Sequence, residues 1–229
     1  MRLSVKSLLF DYGGTIDTNG VHWGEVIRQT YSGFNVPVSP ERFRETYAQV
    51  ERTLGSQSLI LPNHTFRETL AIKIKLQFNL LGLINPCLES QIVDACYEKV
   101  FFHTRNASLI LGQLKEHYPM YLVSNFYGNL CTVLHEFELT RFFQAVIESA
   151  VVGFRKPDPE IFRIAIEKTG YRPEEVAVIG DSYKNDIHPA ILLGCPSIWL
   201  KVKGWDATDE IFEHPCLIGD FSELQDILL

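Results

Sequence analysis

Five short runs, 7–11, 120–124, 145–147, 176–181 and 197–200, are apolar or β-branched with no polar alternation. Strands of a parallel sheet read this way, because both of their faces are covered. Between the later runs, 109–117, 128–136, 160–169 and 185–193 repeat their apolar residues with a helical period. Strand alternating with helix predicts an α/β fold, a parallel sheet with helices on both faces.

The stretch from 19 to 105 follows another rule. Helical patterns cover 24–34, 39–54, 65–81 and 88–102, with no strand–helix alternation. The second opens on Ser39-Pro40-Glu41, an N-cap, a first-position proline and a first-turn acid. Segment 72–80 alternates with period two, which alone argues strand. Helix is the expectation here, because Phe66, Leu70, Ile74, Phe78 and Leu81 form one stripe and Ile72, Leu76 and Leu80 another. Two stripes bury a helix between layers or leave one face for a partner subunit, so monomer and homodimer both stay open.

Composition narrows the class. Of 229 residues, 46% are hydrophobic and 21% charged, as in ordinary globular proteins. The net charge of −7 argues against a nucleic-acid surface or an acidic membrane as partner. No run is long enough to span a bilayer, and 4–10 is too short for a signal-peptide core. The five cysteines are scattered and form no CxxC pair, which reads as reduced thiols and a cytoplasmic location.

Candidate chemistry gathers at the strand ends, where open parallel sheets bind ligands. Four pieces stand there: Asp11 with Gly13-Gly14-Thr15, Ser124-Asn125, Lys156 in GFRKPDPEIF, and Asp181 with Asp186 in VIGDSYKND. Singly, each is an ordinary cap, loop or turn. A phosphate monoester repels nucleophiles, so an attacking carboxylate needs its charge and the substrate's neutralised together. Mg²⁺ suits that task, taking one or two carboxylates plus phosphate and water, and Asp11 and Asp181 are placed to supply them.

In order and spacing, the four pieces resemble the four motifs of the haloacid dehalogenase superfamily, and the helical insert is similar to its helical cap. The resemblance implies a Rossmann-like core over 1–18 and 106–229 and a cap over 19–105. It implies a Mg²⁺-dependent hydrolase, a phosphatase for a small phosphorylated metabolite working through an aspartyl phosphate. Asp11 would be the nucleophile, with the carbonyl of Gly13 joining Asp11 and Asp181 on the metal. Ser124 and the amide of Asn125 would bind phosphoryl oxygens, Lys156 would offset negative charge, and Asp186 would orient Lys156 or a metal-bound water.

One position departs from that pattern. Phosphatases of the superfamily carry an acid two residues after the nucleophile, and this chain has Gly13. General acid–base catalysis typically contributes about 10²- to 10⁴-fold. His22, Glu25, Asp17 or a cap residue could substitute, or the leaving group could need little protonation. Dehalogenase relatives carry a tyrosine where Gly13 stands; Tyr12 lies one position early. Phosphonate-cleaving relatives use a cap lysine, and Lys73, Lys75 and Lys99 read as solvated surface charges. The competing class is a phosphate-ligand binding protein that has lost turnover. Several further positions carry a packing reading beside a functional one. His22 and Trp23 either line the cleft or pack, while packing is favoured for Phe126 and Tyr127. The 199–205 stretch is expected to end a strand and cover the sheet edge. His135, His188 and His214 lack metal-ligand spacing.

Overall fold

Each apolar run is a strand in the computed structural model of the protein, which describes residues 3–202 and 212–229. They are β1 (Ser7–Phe10), β2 (Met120–Ser124), β3 (Ala145–Glu148), β4 (Val176–Gly180) and β5 (Ser197–Leu200). A sixth, β6 (Leu217–Ile218), is two residues long and too short to announce itself as a pattern. All pair in parallel, in the order β3-β2-β1-β4-β5-β6. The order turns around between β1 and β4, so the crevice beyond their carboxyl ends is the place such a sheet offers a ligand. Register keeps those ends level, with Phe10 opposite both Leu122 and Ile179.

The helices are α1 (Trp23–Gly33), α2 (Pro40–Ser56), α3 (Phe66–Leu81), α4 (Pro86–Lys115), α5 (Leu130–Glu136), α6 (Ser149–Val152), α7 (Glu160–Thr169), α8 (His188–Leu193) and α9 (Leu224–Leu228). Strand side chains alternate between two cores. Leu9, Tyr121, Val123 and Val178 pack with Ile161, Phe162 and Ala165 of α7. Leu8, Phe10, Leu122 and Ile179 pack on the other face with Leu111 and Leu114 of α4 and with Leu224 and Leu228 of α9. This is the Rossmann-like α/β arrangement that the sequence predicts. No described helix is long and apolar enough to cross a membrane.

Two expected helices, 88–102 and 109–117, are one. Helix α4 has 30 residues, about 45 Å at 1.5 Å per residue. Its polar middle looked like a break, yet Thr104 is buried there with its hydroxyl donating back to Val100 O at 2.8 Å. The N-terminal half packs Ile92, Val93, Cys96 and Val100 among α1 and α3, while the other half lies on the sheet.

Segment 72–80 is helical, inside α3. A reciprocal Thr65–Glu68 cap starts that helix, and Gly82 in the left-handed region ends it. Phe66, Leu70, Ile74 and Phe78 face the main core. Ile72, Leu76 and Leu80 face Val50 and Leu54 of α2 and the nearby Ile60. The first stripe is largely buried and the second half-buried within the chain, so the period-two pattern records a helix packed on two sides.

Candidate active site

The loop leaving β1 is built around one carboxylate. Asp11 N–H donates to Ile179 O at 2.9 Å, which continues the ladder with β4 for one residue past the strand. Gly14 then turns with φ of +101°, and a Cβ there would run into the Asp181 carboxylate. The Thr15 hydroxyl lies 3.1 Å from Asp11 Oδ2 and 3.2 Å from Asp181 Oδ1. With a single hydrogen, it serves one of them at a time. Asp17 closes the loop: Oδ1 accepts from Gly14 N–H at 2.7 Å and Oδ2 from the Trp23 indole N–H at 2.8 Å.

Beyond β4 the chain makes a π-turn, Tyr183–Ile187, that brings Asp186 back over the strand end. A Cβ on Gly180 would overlap the Asp186 side chain, which explains the glycine before Asp181. Ser182 N–H donates to Asp186 Oδ2 at 3.1 Å, and the Trp199 indole donates to Asp181 O at 2.8 Å. Trp199 is wholly buried inside β5, one residue before its end, with β6 pairing beyond it, so it braces the acidic turn and does not cover the sheet edge; Trp205 lies outside the described residues.

Lys156 arrives from the loop before α7. Its Nζ donates to Asp11 Oδ1 and Asp186 Oδ1, at 2.6 Å each. Asn125, one residue past β2, clamps its backbone from both sides: Nδ2 donates to Lys156 O at 3.0 Å, and Oδ1 accepts from Lys156 N–H at 2.9 Å. Ser124 is buried at the end of β2. The Asn125 side chain, the Thr15 hydroxyl and the Trp199 indole do work that sequence reasoning did not assign; only the four-residue spacing of Thr15 from Asp11 hinted at it.

Electrostatics make the cluster unbalanced. Carboxylate oxygens of Asp11, Asp181 and Asp186 lie within 4.8 Å of one another, the sole such group of metal-capable side chains among the described residues. Burial, then the Asp11 and Asp186 charges, pushes the Asp181 carboxyl well above its ordinary range. Burial also raises Asp186, against the opposing pull of Lys156. Burial alone would lower the Lys156 ammonium, but the two carboxylates outweigh it and hold it above the usual lysine value. Were all three carboxyls ionised, one ammonium would leave about two negative charges unmet. An all-oxygen set with that deficit fits a hard divalent cation such as Mg²⁺.

The side of the loop facing Gly13 is different in character. A Cβ on Gly13 would meet nothing nearer than Trp23 Cδ1 at 4.0 Å. Beyond that indole lies Lys73, buried rather than solvated. Its Nζ is 2.5 Å from Glu51 Oε1 and 5.6–5.9 Å from the ring centres of Trp23, Tyr47 and Tyr127. Tyr127 OH donates to Glu51 Oε2 at 2.7 Å. Burial would lower the Lys73 ammonium, but the Glu51 charge raises it well above its ordinary value. Lys75 is exposed, and Lys99 donates to Thr30 at 3.3 Å.

The other candidates sort by their partners. Glu25 is held by Arg28 at 2.6 Å, which lowers its carboxyl. His22 caps α1, its Nδ1 accepting from Gly24 N–H at 3.0 Å. The Tyr12 ring is fully buried, edge-on to Phe126. His214 pairs with Ser197 Oγ at 3.0 Å.

A doubly covered parallel sheet with an acidic cluster at its switch point defines a class, and comparison with known proteins gives the family. The family model for haloacid dehalogenase-like hydrolases matches residues 5–194, and the chain belongs to that family. It is 27% identical over 208 residues to haloacid dehalogenase-like hydrolase domain-containing protein 3 of Mus musculus, covering 86% of this chain and 82% of that one. It is 35% identical over 86 residues to phosphoserine phosphatase of Thermus thermophilus, 38% of this chain but 34% of that protein. Among solved structures, a magnesium-bound HAD-hydrolase of Bacillus subtilis superposes with a TM-score of 0.60 at 20% identity, covering 100% and 99% of the two chains. A dehalogenase with an intermediate complex gives 0.68 at 18% identity, covering 100% and 99%. At such identities the structural likeness speaks for the fold alone.

Proposed function

We propose that the protein is a Mg²⁺-dependent phosphatase acting on a small phosphorylated metabolite, with Asp11 as the nucleophile. The observation that carries this reading is the Asp11 carboxylate held between Lys156 and Thr15 and facing the Asp181 and Asp186 carboxylates. Asp11, Asp181 and the Gly13 carbonyl would hold the metal, which when bound neutralises charge on the carboxylates and on the phosphoryl oxygens.

In this reading an Asp11 oxygen forms a bond to phosphorus as the ester P–O bond breaks, and the electron pair leaves with the alcohol oxygen. The departing alkoxide takes a proton from solvent; water then adds at phosphorus and returns a proton to solvent as the Asp11–phosphoryl bond breaks and inorganic phosphate departs. Ser124 and the Asn125 amide bind the phosphoryl oxygens. Lys156 offsets the negative charge gathering at Asp11, and Asp186 with the Asn125 side chain keeps Lys156 in place. The segment 19–105 acts as the cap over a core of 1–18 and 106–229, admitting a small substrate and excluding polymers. A cytoplasmic location is part of the same proposal.

The phosphatase-named relatives support the choice of reaction. The dehalogenase alternative has little support from Tyr12, whose ring belongs to the core. A Schiff base needs a neutral amine, whereas the Glu51 charge keeps Lys73 protonated. Gly13 favours a second reading, a phosphate-ligand binder without turnover. Phosphatase turnover with Mg²⁺, abolished in Asp11→Asn, supports the enzyme; equal rates in both proteins exclude it.

A further inference from the structure

We infer that the Lys73–Glu51 pair, boxed by Trp23, Tyr47 and Tyr127 on the Gly13 side of Asp11, recognises a neutral polyhydroxyl leaving group, making the substrate a sugar or polyol phosphate. The inference rests on the phosphate-site reading above and names its substrate class.

Position comes first. Residue 13 is where a side chain would approach the leaving oxygen, and here that space is open as far as Trp23 Cδ1 at 4.0 Å. The next groups outward are the Trp23 ring and, 5.9 Å from its centre, Lys73 Nζ. A leaving group that followed the indole away from Asp11 would reach the ion pair. The Glu51 side chain keeps 26% of its exposure and Trp23 and Tyr127 are half-buried, while Glu51 Oε1 and the Lys73 ammonium lie beneath that surface.

Charge comes second. Lys73 and Glu51 already neutralise each other at 2.5 Å. A carboxylate on the leaving group would bring a second anion beside Glu51, and an amine a second cation beside Lys73, each largely desolvated and uncompensated. A hydroxyl both accepts and donates, so it can take a hydrogen from Lys73 and give one to Glu51 without disturbing that balance. Tyr127 and Tyr47 hold Glu51 beside Lys73, and an ammonium has three hydrogens to share among its partners. The ring faces meet the carbon skeleton of the same molecule.

The test compares kcat/KM for glycerol phosphate and hexose monophosphates with that for phosphoglycolate, phosphoserine and p-nitrophenyl phosphate, all with Mg²⁺. A preference of tenfold or more for the hydroxyl-bearing esters over the carboxylate-bearing ones is expected. Glu51→Gln and Lys73→Met are expected to raise KM for them at least tenfold and to lower their preference over the aryl phosphate. Equal or greater activity on the carboxylate-bearing esters overturns the inference, as does a uniform loss on every substrate in both variants. If wild type turns over no phosphate ester, the phosphatase reading fails on its own. Calorimetry then decides the substrate class: tighter binding of hexose phosphate than of phosphoglycolate upholds it, and equal or absent binding ends it.

Discussion

Lys156 Nζ lies 2.6 Å from Asp11 Oδ1, and an equally short bond to Asp186 fixes it there. The ammonium and both carboxylates are almost fully withdrawn from water. Lys156→Met removes the only described cation contacting two buried anions, and breaking a buried pair this way typically costs about 3–5 kcal/mol. Urea denaturation without Mg²⁺ should show that loss, and turnover should fall by about 10²-fold or more. Asp186→Asn keeps the ammonium but loosens its hold, so kcat should fall more than KM changes. An Asp186→Asn enzyme with wild-type kcat would remove Asp186 from any positioning role.

Much of this is legible in the sequence, for a physical reason. Strands buried on both faces must be apolar throughout, so β1 to β5 stand out, and carboxylates directly after them have to lie at the sheet's end. Asp11, Ser124 and Asp181 are thus singled out by their place at strand ends, whereas Lys156 and Asp186 stand out only through the motif resemblance; the fold brings Asp11, Lys156, Asp181 and Asp186 together. What escapes depends on contacts distant in the chain. Lys73 reads as a surface charge because α3 is polar at that position. Its burial follows from Glu51 on α2, 22 positions earlier, and Tyr127, 54 positions later, which no local pattern encodes. The break expected in α4 fails likewise, since Thr104 satisfies its own hydroxyl within the helix and can be buried.

Magnesium should stabilise the folded protein through Asp181. At a hundred times its dissociation constant, a ligand adds about 2.7 kcal/mol, which for a chain of this size raises Tm by about 5–10 °C. Asp181→Asn should abolish that rise. In EDTA at neutral pH the same variant should melt above wild type, because burial and two neighbouring carboxylates make the Asp181 charge costly without a cation. Opposite signs in the two buffers separate a metal ligand from a merely structural aspartate.

Gly13→Asp has room to work. Its φ lies outside the left-handed region, and the nearest atom to a new Cβ is 4.0 Å away. If the phosphate site lacks only an acid, hydrolysis of simple alkyl phosphates should rise by about 10²- to 10⁴-fold. Aryl phosphates, whose leaving groups need less protonation, should gain less. Single-substrate kinetics on both ester types checks this. An unchanged alkyl rate in a variant that still folds, alongside efficient wild-type turnover of some substrate, would mean another group already supplies the proton.

Asp17 gives the apo protein a pH dependence with a defined sign. It is fully buried, and burial raises its carboxyl from an ordinary 3.8 to about 7, against hydrogen bonds from Gly14 and Trp23. Between those values the folded state holds a proton that the unfolded chain has lost. Stability from this residue is therefore greatest below pH 4 and declines until the pH passes 7. The rise from 3.8 to about 7 corresponds to roughly 4 kcal/mol, an upper bound because relaxation of the loop would reduce it. Asp17→Asn cannot titrate, yet it keeps one oxygen to accept from Gly14 or Trp23. Chemical denaturation in EDTA from pH 4 to 8 should show wild type losing ground to this variant as the pH rises. Parallel curves for the two proteins would mean that Asp17 ionises in the fold as freely as in the open chain.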